Sequence, residues 1–84
     1  MKLDNRIKEL IAIGASVTAH CGPCLEIHVR QALESGAEGE EIAEAVEVGR
    51  MVSKGAAAKM NSIAASLVNA QPAPATACSA GCGC

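Results

Sequence analysis

The segment LDNRIKELIAIGASV, residues 3–17, decides the fold class, because its apolar side chains recur with helical spacing. Apolar or small residues that repeat three and four positions apart lie on one face of an α-helix. In this segment that face is formed by Leu3, Ile7, Leu10, Ile11, Gly14 and Val17. The segment therefore predicts an amphipathic first helix.

A second helix is predicted from Pro23 to about Glu34. Proline suits the first position of a helix, because its missing N–H would have no intrahelical partner there. Gly36 follows the predicted end, and glycine readily takes the left-handed conformation that caps a helix. The two residues predict where the second helix begins and ends.

A third helix is predicted from Gly39, with acidic residues in its first turn that favour the positive end of the helix dipole. Its apolar face is formed by Ile42, Ala45, Val46, Gly49 and Val52. We expect a break or kink at Lys54-Gly55, followed by one more helical face at Ala56, Met60, Ile63, Ala64 and Leu67. No segment shows the alternation of a strand, so the sequence predicts an all-α bundle of three to four helices.

The composition predicts a thin core that needs a partner. The chain has 84 residues, half of them apolar, yet it contains no Phe, Tyr or Trp. Aromatic side chains usually supply much of the buried area, and small domains without such a core need metals, disulfides or oligomerisation. We therefore expect a helical homo-oligomer whose small residues let helices pack closely.

Charge and hydropathy exclude two classes of partner. A net charge of −2 and the lack of aromatic stacking residues argue against nucleic-acid binding. No apolar run approaches the roughly 20 residues that cross a bilayer, so no membrane association is expected. Asp4 and Glu9 lie where a signal peptide would be positively charged, which favours a cytoplasmic protein.

The composition changes near residue 70, which divides the chain into a helical domain, 1–69, and a tail, 70–84. Proline and alanine alternate in QPAPA, residues 71–75, as in an extended linker. Three cysteines follow within seven residues: Cys78, Cys82 and Cys84. These thiols suit exchange with another disulfide, or a soft ion such as Zn²⁺ or Cu⁺, and the sequence leaves both alternatives open beside an inert tail.

The motif Cys21-Gly22-Pro23-Cys24 carries the chemistry of the chain. A helix that begins at the proline places both sulfurs at a helix N-terminus, where free N–H groups and the helix dipole stabilise a thiolate. His28 lies four residues after Cys24, so the imidazole and the thiol share one helix face. In a reducing compartment such a pair indicates redox or metal chemistry and not a structural disulfide.

Glu9 joins this group if the first two helices form an antiparallel hairpin. Glu9 and His28 are about equally far from a turn at residues 18–20, so they should lie at the same level. A carboxylate there would orient the imidazole and support it as a base toward Cys24. The thiolate of Cys24 would attack an oxidant, and Cys21 would resolve the sulfenic acid as a disulfide.

These motifs resemble the alkyl hydroperoxidase D-like branch of the carboxymuconolactone decarboxylase family. The resemblance covers residues 3–52 and rests on ELIAIGA (residues 9–15), CGPCLEIH (21–28) and AEGEEIAEA (37–45). It implies an all-helical fold, assembly as a trimer or hexamer, and no required cofactor. It also implies an attacking second cysteine activated through the histidine and the distant glutamate, with the first cysteine resolving: Cys24, His28, Glu9 and Cys21.

The resulting hypothesis is a thiol-dependent peroxidase or disulfide oxidoreductase that uses a hydroperoxide or disulfide substrate and a thiol or dithiol electron donor. The Gly-Pro spacer is also that of the thioredoxin-type dithiol, which keeps disulfide exchange open beside peroxide reduction. Two alternatives remain. One is a soft-metal or metalloid carrier that uses Cys78, Cys82 and Cys84, with Cys21 and Cys24 as further ligands, and the other is a lyase related to carboxymuconolactone decarboxylase.

Overall fold

The computed structural model describes residues 1–70, which form three α-helices. They are α1 (Asn5–Thr18), α2 (Gly22–Glu34) and α3 (Gly39–Ala70). Helix α1 lies at the centre and packs along both of the others, whereas α2 and α3 touch each other at few positions. No strand occurs within residues 1–70, and the predicted all-α fold class is confirmed.

Helix α1 begins at a capping side chain and is tied to α3 by an ion pair. The carboxylate of Asp4 accepts the backbone N–H of Ile7 at 2.9 Å, which satisfies one of the free donors of the first turn. Arg6 then forms an ion pair with Glu41 in the first turn of α3. Glu41 also accepts the backbone N–H of Glu38 at 2.9 Å, so one carboxylate links two helix starts.

Helices α1 and α2 end in the same way, with a left-handed residue after the cap. At the end of α2 this residue is Gly36, with φ of 92°, as the sequence predicted. At the end of α1 it is His20, with φ of 58°, a conformation that is uncommon for a residue other than glycine. The chain reverses at both points, which places the three helices side by side.

The contact between α1 and α3 depends on two glycines. A Cβ atom at Gly49 would lie 2.5 Å from the carbonyl oxygen of Gly14 and 2.9 Å from the Cβ of Val17. The hydroxyl of Thr18 lies 3.0 Å from that same carbonyl of Gly14 and 3.1 Å from the carbonyl of Gly49. Backbone therefore packs directly on backbone, and a single side chain joins the two helices at the crossing.

The buried face of α1 overlaps the predicted one only in part, because Leu10 of the predicted face packs against the core. Residues Glu9, Ile13 and Ser16 are buried, four and three positions apart. In contrast, Leu3, Ile7 and Ile11 of the predicted face are 46%, 36% and 56% exposed. Two of the three buried residues are polar, so a search for apolar spacing could not find the whole of this face. The core is small, as expected: Ile13 and Ala32 have no exposed surface, and Ala37 has 7%.

The predicted break at Lys54-Gly55 is wrong, because α3 continues without interruption over 32 residues. A single glycine costs about 1 kcal/mol relative to alanine in a helix interior, which is too little to end a helix among strong helix formers. Alanines occupy the next three positions, 56–58. The face predicted for a fourth helix therefore belongs to the second half of α3, where Met60, Ile63 and Leu67 are about half exposed.

The described helices are too short or too polar to cross a bilayer. Residue 70 ends α3, and the predicted linker and cysteine-rich tail from Gln71 onward lie outside the described residues.

Candidate active site

Cys21 and Cys24 are joined as a disulfide at the start of α2, with their Cα atoms 5.3 Å apart. Cys21 is the N-cap residue of the helix, and its sulfur accepts the backbone N–H of Cys24 at 3.3 Å. Gly22 is the first helical residue, so α2 begins one residue before the predicted start at Pro23. Both sulfurs therefore lie at a helix N-terminus, where the dipole favours negative charge.

The position of Cys21 is also fixed from the side of α1. Its backbone N–H donates to the carbonyl of Ser16 at 3.0 Å, and the N–H of His20 donates to the carbonyl of Val17 at 3.1 Å. These two bonds form the motif that closes α1 around a left-handed residue. Cys21 thus belongs to the end of one helix and to the start of the next.

Glu9 and His28 meet across the α1–α2 hairpin. The Oε1 atom of Glu9 lies 2.6 Å from Nδ1 of His28, and Glu9 is only 7% exposed. The two residues are 19 positions apart in sequence, on opposite sides of the turn. A carboxylate at Nδ1 leaves Nε2 as the nitrogen for further proton transfer and fixes the orientation of the ring.

A second side chain of α2, Gln31, completes the surroundings of Glu9. With its amide nitrogen toward the carboxylate, Gln31 donates to both oxygens of Glu9 at 3.1 Å. Lys8 is more distant, with Nζ 4.0 Å from Oε2 of Glu9. A carboxylate that is removed from water needs such partners, because an unpaired buried charge is costly.

Gln31 was not among the site residues predicted from the sequence. Its signal was its position three residues after His28, which places the amide and the imidazole on one face of α2. Residues Cys24, His28 and Gln31 thus follow each other along the helix at spacings of four and three. The structure joins Cys21 to Cys24 and Glu9 to His28, and His28 follows Cys24 by four residues on α2, while Cys78, Cys82 and Cys84 lie outside the described residues. Among residues 1–70, no group of three or more His, Cys, Asp or Glu side chains could hold a metal ion.

A small cleft of about 270 Å³ lies beside the disulfide. It is bounded by the end of α1, the start of α2 and the middle of α3. Its lining residues are Ser16, Val17, His20, Cys21, Gly22, Leu25, Val46 and Arg50. Cys21 therefore borders a space that a small molecule can enter.

The chain matches one family model and one curated relative. The model of the carboxymuconolactone decarboxylase family matches residues 1–69, and the chain belongs to this family. A relative from Paracoccus denitrificans, described as "Uncharacterized protein 4 in cox locus", is 42% identical over 55 residues. The matched region is 66% of this chain and spans half the length of that relative. No solved structure matches the chain significantly.

Proposed function

We propose that this protein is a thiol-dependent oxidoreductase that reduces hydroperoxides or disulfides at the Cys21–Cys24 pair. The contact between Glu9 and His28 carries the proposal, because it places an oriented imidazole one helical turn from Cys24. The resemblance of the motifs implies that members of this family carry out such chemistry. Membership of the family supports the proposal, but it does not fix the substrate.

In the proposed first step, His28 accepts the proton of the Cys24 thiol, and Glu9 stabilises the resulting imidazolium. The Cys24 thiolate attacks the terminal oxygen of a hydroperoxide, and the O–O bond breaks. The products are a sulfenic acid on Cys24 and an alkoxide, which takes the proton from His28 and leaves as the alcohol. The buried carboxylate is suited to this role because Gln31 and His28 hold it in place.

In the second step, the thiol of Cys21 attacks the sulfenic sulfur of Cys24, and water leaves. The disulfide found between Cys21 and Cys24 is the product of this step. Two electrons from a thiol or dithiol donor then restore both thiols by exchange. The cycle requires a reducing compartment, and we propose the cytoplasm.

The two alternative functions have less support from the described residues. A soft-metal carrier would depend on Cys78, Cys82 and Cys84, because residues 1–70 provide no cluster of metal ligands. Metal analysis of protein purified under reducing conditions tests it, since stoichiometric metal that is lost when all three cysteines become serine would favour the carrier. A decarboxylating lyase has no need for a dithiol, and its test is turnover of a carboxymuconolactone.

The main experiment measures the state of the cysteines after one equivalent of a hydroperoxide, with rapid acid quenching, alkylation and mass spectrometry. The chain has no aromatic residue and therefore no useful intrinsic fluorescence, so a mass readout is the right one. Trypsin releases Cys21 and Cys24 on one peptide, residues 9–30, separate from the tail cysteines.

Two single variants separate the roles of the cysteines. We expect Cys24→Ser to abolish the reaction of the protein with peroxide, as measured on this peptide. We expect Cys21→Ser to stop at a sulfenic acid that can be trapped on Cys24. Cys78→Ser/Cys82→Ser/Cys84→Ser is the matched control, which should still form the Cys21–Cys24 disulfide. If Cys24→Ser is as fast as the wild type, the assignment of the nucleophile is wrong.

We also propose that the protein assembles as a homo-oligomer, as a trimer or hexamer. An apolar groove of about 620 Å³ lies between α1 and α3, with Ile7, Ile11 and Val52 in its lining. Exposed apolar residues continue along α3 to Val68. Large exposed apolar surfaces are typical of interaction sites. Light scattering on the eluted protein tests the proposal, and a monomer at micromolar concentration would contradict it.

A further inference from the structure

The cleft beside the disulfide opens on Cys21 and not on Cys24. Of the two sulfur-bearing residues, only Cys21 contributes to its lining. Cys21, and not Cys24, is therefore the cysteine that a reductant in the cleft contacts. In thiol–disulfide exchange, the sulfur under attack forms the mixed disulfide, and the other sulfur is the leaving group.

The lining of the cleft combines aliphatic and basic side chains. Val17, Leu25 and Val46 supply the aliphatic part, and the polar part includes His20 and Arg50. Ser16 is also in the lining, but its hydroxyl already donates to the carbonyl of Ala12 at 2.7 Å.

The charge of Arg50 is available to a ligand. Its nearest acidic partner is Glu47, with Nη1 and Oε1 3.9 Å apart, and both side chains are more than 60% exposed, at 66% and 62%. A guanidinium has five N–H donors, and this contact occupies few of them. The cleft lining contains no acidic residue, so an anion entering it meets basic groups.

We propose that this cleft admits the electron donor, and that the donor is a small thiol with an apolar body and a carboxylate. The inference rests on the redox role proposed above. The donor thiol loses its proton to solvent, its thiolate attacks Sγ of Cys21, the Cys21–Cys24 bond breaks, and Cys24 leaves as a thiolate that takes a proton from solvent. A second thiol then attacks the sulfur of the donor, which releases an oxidised donor and the Cys21 thiol. Arg50 binds the carboxylate during the first attack, with His20 beside it.

The test compares three small thiols of similar size and different charge: mercaptopropionate, mercaptoethanol and cysteamine. The full-length protein is oxidised with diamide, and the rate of reduction of peptide 9–30 is measured by quenching and mass spectrometry. Each rate is expressed as the ratio of variant to wild type, which cancels the intrinsic reactivity of each thiol. Cys78→Ser/Cys82→Ser/Cys84→Ser is run in parallel so that tail thiols do not contribute.

We expect Arg50→Ala to slow mercaptopropionate about two- to fivefold, the size typical of an exposed charge pair. Mercaptoethanol should be unaffected, cysteamine should become faster, and Arg50→Lys should keep most of the rate. The matched control is Lys59→Ala, which removes the same charge from α3 about 13 Å further along the helix. His20→Asn, which tolerates the left-handed backbone, should give a smaller loss with mercaptopropionate alone.

Two results would overturn the inference. One is an equal change of all three rates on Arg50→Ala, and the other is a mixed disulfide mapped to Cys24 in place of Cys21. Because diamide forms the disulfide, a protein that fails to react with hydroperoxides still answers this test. Failure of the peroxide experiment with charge-selective reduction would reject the peroxidase and keep the cleft as the entrance for an anionic thiol.

Discussion

The two sides of α1 solve the problem of close packing in opposite ways. Toward α2 it buries a charged residue, Glu9, which is held by His28 and Gln31. Toward α3 the closest contact is made by two glycines, Gly14 and Gly49, which have no side chain and let the two backbones approach each other. A protein without aromatic residues thus buries a polar contact at one interface and packs glycine backbones together at the other.

The difference separates chemistry from structure along one helix. Buried polar groups cost free energy unless every partner is present, and they are worth keeping where a reaction uses them. Close glycine contacts have no reactive group and depend only on shape. We therefore expect substitutions on the α2 side to change rates, and substitutions on the α3 side to change stability.

The largest effect is expected for Glu9→Gln. The neutral amide no longer stabilises a charged imidazolium on His28, so oxidation of Cys24 by a hydroperoxide should slow about 100-fold, as for the loss of general base assistance. The rate is measured by quenching and mass spectrometry at several pH values. A changed pH profile, and not only a lower rate, distinguishes positioning of His28 from general damage.

The control for that variant is Glu44→Gln, which neutralises an exposed carboxylate of α3. It should leave both rate and pH profile unchanged. If Glu9→Gln reacts as fast as the wild type, the proposed functional difference between the two sides of α1 is wrong.

Gly49→Ala should have the next largest effect, on stability. A new Cβ at 2.5 Å from the carbonyl oxygen of Gly14 forces the helices apart, and overpacking of this kind costs about 1–3 kcal/mol, partly offset by the better helix propensity of alanine. Thermal unfolding followed by far-ultraviolet circular dichroism checks the loss. Gly55→Ala is the matched control, because a Cβ there meets nothing within 4 Å, and it should be neutral or stabilising.

Substitutions at the two left-handed residues should have smaller effects on stability, and the two effects should be opposite in sign. His20→Gly should stabilise the protein by about 1 kcal/mol, because glycine adopts this conformation without strain. Gly36→Ala, at the equivalent position of α2, should destabilise it by about the same amount. Unfolding midpoints of the two variants, measured together, test whether the left-handed conformation of His20, beside the cleft, lowers the stability of the protein.

The smallest effect concerns the ion pair on the α3 side. The backbone N–H of Glu38 and then the guanidinium of Arg6 hold the pKa of the Glu41 carboxyl below its ordinary value of 4.5. A lowered pKa in the folded state stabilises the protein above the unfolded value, and this contribution is lost as the pH falls through the folded value. Glu41→Gln should therefore lower the unfolding temperature slightly at pH 7 and converge with the wild type in acid. A constant difference across that range would contradict the assignment.

Sequence patterns predicted the helices better than their faces. The end of α2 at Gly36 and the start of α3 at Gly39 follow from local capping rules, and both agree with the structure. The break at Gly55 failed because one glycine is a weak signal against the propensity of its neighbours. The buried face of α1 was predicted only in part because Glu9 and Ser16 are polar, and their burial depends on the packing of the other helices.

The same distinction applies to the site. The position of Glu9 opposite His28 could be predicted from the hairpin alone, because the prediction needs only two helices and a turn. Gln31 is harder to predict: its position three residues after His28 places it on the same face of α2, but its role depends on Glu9 lying opposite that face. The cleft depends on where Val46 and Arg50 of α3 lie against α1. The crossing geometry of two helices could not be predicted from the spacing of residues along each helix.

One consequence follows from the double position of Cys21, which closes α1 through its N–H and caps α2 through its sulfur. The folding equilibrium and the thiol–disulfide equilibrium form one thermodynamic cycle, so a fold that favours one redox state shifts the reduction potential by the same free energy. A thiolate accepts the N–H of Cys24 more strongly than a disulfide sulfur does. When Cys21 is a thiolate, this hydrogen bond should therefore favour the reduced folded protein, and unfolding curves of the two redox forms would measure how far folding shifts the reduction potential.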